Sequence, residues 1–164
     1  MTKLILIGGA PGIGKSTVAR LLMNQLPNSA WLDGDDVWRM NPFRVDAVTT
    51  AMVQHNIAYV LRGFIEAGFN YAILSWVMHR QIIIDQLLDS LQGFSFQALV
   101  CTLVCSPAAL AERHRGDPAR SDISQLALDR LEQSRQLKTL QIDTDGLSAG
   151  EVAARIRAAI AAES

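Results

Sequence analysis

Short runs of apolar residues alternate along the chain with longer segments in which apolar residues recur every three or four positions. The runs predict five strands, at residues 4–7, 29–32, 71–74, 98–104 and 140–142. The segments with helical spacing predict helices at residues 15–26, 46–67, 81–91, 107–115 and 124–137, and a last helix that begins at Ser148. Glu151 stands three residues after Ser148, a spacing that is typical of a capping box.

Regular alternation of strands and helices predicts a parallel sheet with helices on both faces, because each parallel connection must cross over the sheet. The predicted strands are mostly apolar along their length, which is typical of strands that are buried on both sides. We therefore expect one α/β domain over residues 1–164. In such domains ligands bind beyond the carboxyl ends of the strands, so candidate chemistry is sought in the residues that follow each strand.

The composition is that of a globular protein, since 49% of the 164 residues are hydrophobic and 19% are charged. Fifteen Lys and Arg residues against sixteen Asp and Glu give a net charge of −1 without a basic run, which argues against nucleic-acid binding. Apolar stretches fall far short of the roughly 20 residues of a membrane span, and we expect a soluble, cytoplasmic protein. Cys101 and Cys105 are expected to be reduced core residues, because four strand positions separate them too widely for a disulfide.

A glycine-rich segment, GGAPGIGKST, follows the first strand and leads into the first helix. It fits the pattern G-x-x-x-x-G-K-[ST], in which backbone N–H groups and the helix amino terminus face a phosphate chain. Lys15 is expected to reach the β- and γ-phosphates, and the Ser16 hydroxyl to bind Mg²⁺. The residues expected to bind the nucleotide are Gly9, Ala10, Pro11, Gly12, Ile13, Gly14, Lys15, Ser16 and Thr17. The alternative interpretation is a glycine-rich turn with a chance lysine.

Three carboxylates follow the second strand, in the segment Asp33-Gly34-Asp35-Asp36. Asp36 is expected to cap a short helical turn, since aspartates before a helix satisfy its free N–H groups. The spacing of Asp33 and Asp35 turns both toward the same strand end, where one could assist Mg²⁺ and the other could accept a proton from an attacking hydroxyl. An exposed cluster that only caps the turn is the alternative.

GGAPGIGKST followed by LDGDD resembles the small P-loop kinases, such as shikimate kinase, gluconate kinase, adenylylsulfate kinase and chloramphenicol phosphotransferase. The resemblance implies a three-layer P-loop NTPase fold with sheet order 2-3-1-4-5, and the use of ATP and Mg²⁺. It also implies that Asp33 assists Mg²⁺ through water and that Asp35 holds or deprotonates the acceptor hydroxyl. The chain departs from many P-loop proteins at Ser75, where strand three ends without a carboxylate, and this places more of the metal assistance on Asp33.

Several arginines follow the fourth strand and are candidates for binding phosphate. Residues 113–123 are predicted to form a short lid, with a solvated surface loop as the alternative. In the kinases that the chain resembles, one arginine before the lid packs on adenine, one within it touches phosphate, and one from the next helix enters the site. The best matches are Arg113, Arg120 and Arg135 in that order, with Arg130 close behind Arg135. Lys15, Asp35, Arg120 and Arg135 are thus the predicted catalytic residues, and Arg113 joins the nucleotide-binding set.

The acceptor is expected over the ends of the second and third strands, beneath the long helix at residues 46–67. Exposed aromatic and arginine residues there could sandwich a ring or clasp a phosphate, although core packing explains Trp76 equally well. These residues are Trp38, Phe43, Arg44, Trp76 and Arg80. Arg62 either pairs with Glu66 on the surface or binds an anionic acceptor group. We assign no chemical role to His79 and His114.

Together these patterns predict an ATP-dependent phosphotransferase that moves the γ-phosphoryl group to a hydroxyl of a small molecule, with Mg²⁺ held by Ser16 and Asp33. The acceptor could be a nucleoside or nucleotide, a sugar acid or an antibiotic. The alternative function is a non-catalytic or slowly hydrolysing ATP-binding module. The near-neutral charge disfavours a kinase that acts on polynucleotide ends. The chain is expected to act as a monomer or a homodimer, without a nucleic-acid or membrane partner.

Overall fold

Five parallel strands form one sheet in the order β2-β3-β1-β4-β5 in the computed structural model, which describes residues 1–119 and 122–162. The strands are β1 (Thr2–Gly9), β2 (Ser29–Asp33), β3 (Tyr71–Ser75), β4 (Phe96–Val104) and β5 (Leu140–Asp143). The helices are α1 (Lys15–Gln25), α2 (Ala47–Glu66), α3 (Gln81–Ser90), α4 (Pro107–Arg115), α5 (Gln125–Arg135) and α6 (Ala149–Ala162). A short 3₁₀ helix (Gly34–Trp38) follows β2. The predicted strand order and element order are confirmed.

Helices cover both faces of the sheet and give the three layers that were expected. Alternate residues of β1 point to opposite faces, so that Ile5 packs with Leu22 of α1 and Ile156 of α6 in one core cluster. Leu6 belongs to the other cluster, together with Ile57 of α2 and residues of α3. Burial of β1 on both faces explains why residues 4–7 in its middle are all apolar.

The strands extend beyond the apolar runs that predicted them, because hydrogen bonding continues where the side chains become polar or small. Thr2 and Lys3 of β1 pair with the start of β4, and Gly8 and Gly9 pair with Thr102 and Leu103. The last pairs of the sheet place Ile7, Ser75 and Asp33 side by side across β1, β3 and β2. This row lies at the carboxyl edge, where the phosphate-loop pattern and the acidic turn both begin.

Side-chain caps stabilise the starts of α2, α4 and α6. Asp46 and Thr49 form a reciprocal capping box at α2, and Ser148 and Glu151 form the one predicted for α6. The Ser106 hydroxyl accepts a hydrogen bond from the Ala109 amide and caps α4. Within the described residues, no helix combines the length and apolar character that crossing a bilayer requires.

Arg62 has neither of the roles proposed for it from the sequence. It lies in the second half of α2, whose amino terminus follows the segment after the acidic turn, so Arg62 is directed to the opposite end of the sheet. Its guanidinium donates a hydrogen bond to the carbonyl of Ser90 at the end of α3 and lies 5.8 Å from the centroid of the Phe94 ring. A cation at a helix carboxyl terminus stabilises the fold, so Arg62 is a structural residue.

Candidate active site

The glycine-rich segment forms a tight loop between β1 and α1. Gly9, Gly12 and Gly14 have φ values of 141°, 82° and 108°, a region that other residues rarely adopt. The Lys15 side chain is buried and its Nζ atom donates to the Ala10 carbonyl at 2.9 Å, within the loop. The lysine side chain therefore folds over the backbone of its own loop.

His114 packs against this loop from α4. Its ring is 5% exposed, and Nε2 donates to the Pro11 carbonyl at 2.9 Å. A side chain at Gly12 would overlap the His114 ring, so the glycine is required for space as well as for its backbone angle. The sequence analysis assigned His114 no role. The signal that could have found it is its spacing of four residues from the buried Leu110, which puts both on the inner face of α4.

Arg113, the other α4 residue at the loop, connects it to the segment after β5. The guanidinium donates to the Ile13 carbonyl at 3.2 Å and to the side-chain and main-chain oxygens of Thr144, both at 2.9 Å. A cavity of about 230 Å³ is lined by these residues and by Gly12 and Thr17. This is the place where the predicted contact of Arg113 with an adenine base would occur.

Asp145 organises the turn beside that small cavity. Both of its carboxylate oxygens lie 3.0 Å from the Ser106 amide nitrogen, and this hydrogen bond lowers the pKa of Asp145 below its ordinary value. Gly146 follows with a φ of 69°, as a turn requires. The segment after β5 is thus both a defined turn and one wall of the cavity.

Asp33 and Ser16 meet at the carboxyl edge of the sheet. The Ser16 hydroxyl donates to one carboxylate oxygen of Asp33, while the other accepts the Asp35 amide at 3.1 Å. Ser75 lies next to Asp33 in the sheet, but its hydroxyl accepts from the Trp31 indole at 3.0 Å. A hydroxyl and a carboxylate oxygen side by side suit Mg²⁺, which takes few protein ligands and completes its shell with phosphate oxygens and water. The residues present therefore fit the expected ion.

The acidic turn packs against Trp76. A Cβ atom built on Gly34 would lie 2.5 Å from Cγ and Cδ1 of the Trp76 indole, so the residue between the two aspartates must be glycine. Trp76 is 5% exposed and belongs to the core, yet part of its indole faces the space beside Asp35. Core packing of Trp76 is therefore confirmed, and its contact with a ligand stays a prediction.

A second and larger cavity, of about 820 Å³, opens on the other side of the loop, between the acidic turn, α2, α3 and α5. Pro11 of the loop and Asp35 line it, so the predicted catalytic carboxylate faces this space. It contains three of the aromatic residues and one of the arginines predicted for the acceptor: Trp38, Phe43, Trp76 and Arg80. Arg44 instead contributes its carbonyl, which accepts the Trp38 indole N–H at 3.1 Å.

His79 lines the large cavity, which the sequence did not indicate. Its Nδ1 atom is buried and lacks a hydrogen bond of ordinary geometry. Burial lowers the pKa of His79 to about 4, with further lowering from Arg130 and Arg80 and a small opposing effect of the Val77 backbone. The imidazole is therefore neutral near pH 7, and the positive charge in this cavity comes from the arginines.

Arg130, which ranked behind Arg135 in the sequence analysis, is the α5 arginine that lines the large cavity. Arg135 instead donates a hydrogen bond to the Cys105 carbonyl at the end of β4. The two residues lie five positions apart, about 140° around the helix, so one α5 face cannot present both. Arg120 and residue 121 of the predicted lid fall outside the described residues.

A protein-family model described as an AAA domain matches residues 5–138. The tunicamycin resistance protein of Deinococcus radiodurans is 22% identical, with a TM-score of 0.73 over 98% of this chain and 96% of that chain. A gluconokinase from Sinorhizobium meliloti 1021 is 18% identical, with a TM-score of 0.71 over 99% and 97%. Thymidylate kinase from Candida albicans is 17% identical, with a TM-score of 0.70 over 99% and 92%. A search of curated proteins finds no match. The likeness to small P-loop kinases is confirmed as one of fold.

Proposed function

Because the chain belongs to the AAA domain family, we propose that its phosphate loop binds ATP and that the protein is a small-molecule kinase. The observation that carries the proposal is the position of Asp35 and Pro11, which line one large cavity while the loop residues Gly12 and Thr17 line a smaller one. A nucleotide and an acceptor would thus lie on opposite sides of the same loop. The kinase fold of the solved neighbours supports this arrangement.

Different residues would bind the phosphates, the base and the metal ion of the nucleotide. Lys15 would leave the Ala10 carbonyl to contact the β- and γ-phosphates, and Arg113 and Thr144 would border the base. Ser16 and Asp33 would hold Mg²⁺, Asp33 through water. When bound, Mg²⁺ neutralises charge on the phosphate oxygens.

Asp35 is the group that we propose to act on the acceptor. In the transfer, the acceptor oxygen forms a bond to the γ-phosphorus, the bond from that phosphorus to the β–γ bridging oxygen breaks, and the hydroxyl proton passes to the Asp35 carboxylate. Lys15 and an arginine stabilise the charge that moves between the two oxygens. We propose Arg130 for this role because it lines the cavity, while Arg120 and Arg135 remain predictions for it.

Two substitutions separate nucleotide binding from transfer. Lys15→Ala is expected to abolish phosphoryl transfer and to weaken ATP binding, because the loop loses its only side-chain cation. Asp35→Asn is expected to lower turnover by about 10²-fold or more with ATP binding retained, because the proton acceptor is lost. Calorimetric titration with ATP and Mg²⁺ measures binding, and acceptor-stimulated ADP release measures turnover.

Asp36→Asn is the matched control, since Asp36 is exposed and forms an ion pair with Arg39 at 2.6 Å. It should resemble the parent protein in both measurements. Loss of ATP binding in Asp35→Asn would contradict the division of roles proposed here. ATP binding without any acceptor-stimulated ADP release, across nucleosides, sugar acids and hydroxylated antibiotics, would favour the ATP-binding module instead.

A further inference from the structure

We propose that the acceptor is an alcohol that carries a flat aromatic ring, and not an open-chain sugar acid. This inference rests on the proposed function, because it names the substrate class for the cavity that contains Asp35. It is drawn from the side chains that line that cavity.

Exposed apolar side chains are concentrated at this cavity. Nine large hydrophobic residues are exposed in the described part of the chain, and four of them line this one space. They are Phe43, Val45, Ile82 and Leu126, which are 65%, 67%, 50% and 55% exposed. They come from three separate parts of the chain: the segment after the acidic turn, the start of α3 and the start of α5. Apolar groups that converge from separate elements on one concave surface mark a binding site for an apolar ligand.

Aromatic rings form a continuous wall on one side. The Trp38 ring lies 6.0 Å from Phe43 and 6.2 Å from Trp76 between centroids, with interplanar angles of 43° and 50°. The only polar atom of the Trp38 indole is occupied, since Nε1 donates to the Arg44 carbonyl. The rest of the Trp38 indole surface is apolar, and its face can stack against a planar ring.

The described lining of the cavity contains nine apolar or aromatic residues and seven polar or charged ones, the latter being Asp35, Thr50, Gln54, His79, Arg80, Gln86 and Arg130. Asp35 is the group proposed to meet the reacting hydroxyl, and His79 is a neutral imidazole near Arg80 and Arg130. A cavity of about 820 Å³ is within the usual range for drug-sized ligands, which is roughly 300–1,000 Å³. An open-chain polyol would fill only part of it and would leave the aromatic wall and the exposed apolar side chains uncovered. A ring-bearing alcohol would cover this surface and remove it from water.

The test compares acceptors that differ in the ring. The full chain with ATP and Mg²⁺ is assayed for acceptor-dependent ADP release, with the phosphorylated product identified by mass spectrometry. One arm contains pyrimidine nucleosides such as uridine, a second contains phenyl-substituted diols, and the third contains gluconate and glycerate. We expect kcat/KM to be at least about tenfold higher for one of the two ring-bearing groups of acceptors than for gluconate. Which of the two groups is turned over shows whether the acceptor resembles a nucleoside or an aryl alcohol. Gluconate turning over as well as the best ring-bearing probe would overturn the inference and leave the proposed kinase function intact.

Binding is measured separately, because Trp38 and Trp76 report on the cavity by their fluorescence. In the presence of ADP and Mg²⁺, ring-bearing probes should quench this fluorescence saturably, whereas gluconate should not. Saturable quenching without any ADP release supports the inference and counts against the proposed function. No quenching by any ring-bearing probe overturns the inference.

Phe43→Ala tests whether the aromatic wall carries the binding. The dissociation constant of the ring-bearing probe should rise at least about fivefold, because an aromatic stacking partner is lost. ATP affinity should stay unchanged. Tyr59→Ala is the matched control, since Tyr59 is an aromatic residue on α2 that is 71% exposed and lies outside the cavity. Equal effects of the two substitutions on probe binding would overturn the assignment of the ring to this wall.

Discussion

At the scale of single residues, the contact between Gly34 and Trp76 fixes the position of the two aspartates. The 3₁₀ helix starts at Gly34 and lies directly on the indole, with no room for a methyl group. Trp76 cannot move away easily, because it is buried in the core beneath the large cavity. The catalytic geometry proposed here therefore depends on a residue that has no side chain.

Gly34→Ala is expected to destabilise the protein by about 1–3 kcal/mol, because the added methyl group overpacks the indole. Turnover should fall as well, since Asp35 is displaced with the turn. Chemical denaturation and an acceptor-dependent rate measure the two effects. Gly63→Ala is the control, because a Cβ there meets no atom within 4 Å and alanine favours a helix over glycine by roughly 0.5–1 kcal/mol. Equal stability of the Gly34 variant and the parent would show that the turn adjusts freely.

His79 is expected to make the stability of the protein depend on pH. Its pKa of about 4 in the folded protein lies below its ordinary value of 6.5, so the unfolded chain binds the proton more readily. His79 contributes most to the free energy of unfolding above about pH 6.5, where the imidazole is neutral in the folded and the unfolded chain. This contribution falls as the pH decreases toward 4, because the unfolded chain is protonated first. The difference in free energy of unfolding between the parent and His79→Gln should thus change in favour of the variant over this interval. A difference that is constant from pH 7 to pH 4 would contradict the lowered pKa.

At the scale of secondary-structure elements, the cap of α4 connects helix stability to the loop. Ser106 caps the helix that presents Arg113 and His114 to the phosphate loop. Ser106→Ala should lower the free energy of unfolding by about 1 kcal/mol, because the Ala109 amide loses its side-chain partner. Urea denaturation measures this change, and Ser106→Thr should restore most of the loss.

Ser124→Ala provides the comparison, since Ser124 caps α5 through the Ala127 amide at the same distance of 3.2 Å. Its effect on stability should be similar. Only Ser106→Ala is expected to weaken ATP binding, because α4, and not α5, contacts the loop through Arg113 and His114. Equal losses of ATP affinity in both variants would contradict this assignment.

The elements and the phosphate loop could be predicted from the sequence because both are set by short-range patterns. The apolar run of β1, the glycines and Lys15 all occur within fifteen consecutive residues, and their spacing carries the prediction. The capping box at Ser148 is equally local. The sheet order was implied by resemblance, and the structure confirms it.

Contacts between distant elements could not be predicted in this way. Arg130 and Arg135 lie on the same helix, and only the packing of α5 against the sheet decides which one lines the large cavity. His114 contacts a loop more than one hundred residues earlier, and Arg62 meets the end of α3. The contacts of these side chains could not be predicted because their partners are determined by tertiary structure.

At the scale of the whole molecule, nucleotide binding should stabilise the fold against heat. The loop is attached to β1, α1, α4 and the segment after β5, so a ligand that binds it favours the folded state of the entire domain. At a nucleotide concentration 100 times the dissociation constant, stability should rise by about 2.7 kcal/mol. For a chain of this length that corresponds to a melting temperature about 5–10 °C higher.

Calorimetry with ADP and Mg²⁺ measures this increase. Chelation of the metal should reduce it, because Ser16 and Asp33 would then lose the ion between them and the phosphates. Lys15→Ala should remove most of it. A full increase in melting temperature in the Lys15 variant would show that the nucleotide binds elsewhere.

Consecutive loop residues, Pro11 and Gly12, border different cavities. In the proposed kinase, the nucleotide and the acceptor would therefore have separate binding places that adjoin at the loop. Both would be bound at once, so initial-rate plots against either substrate should intersect, and an isotopically chiral thiophosphoryl group should emerge with its configuration at phosphorus inverted.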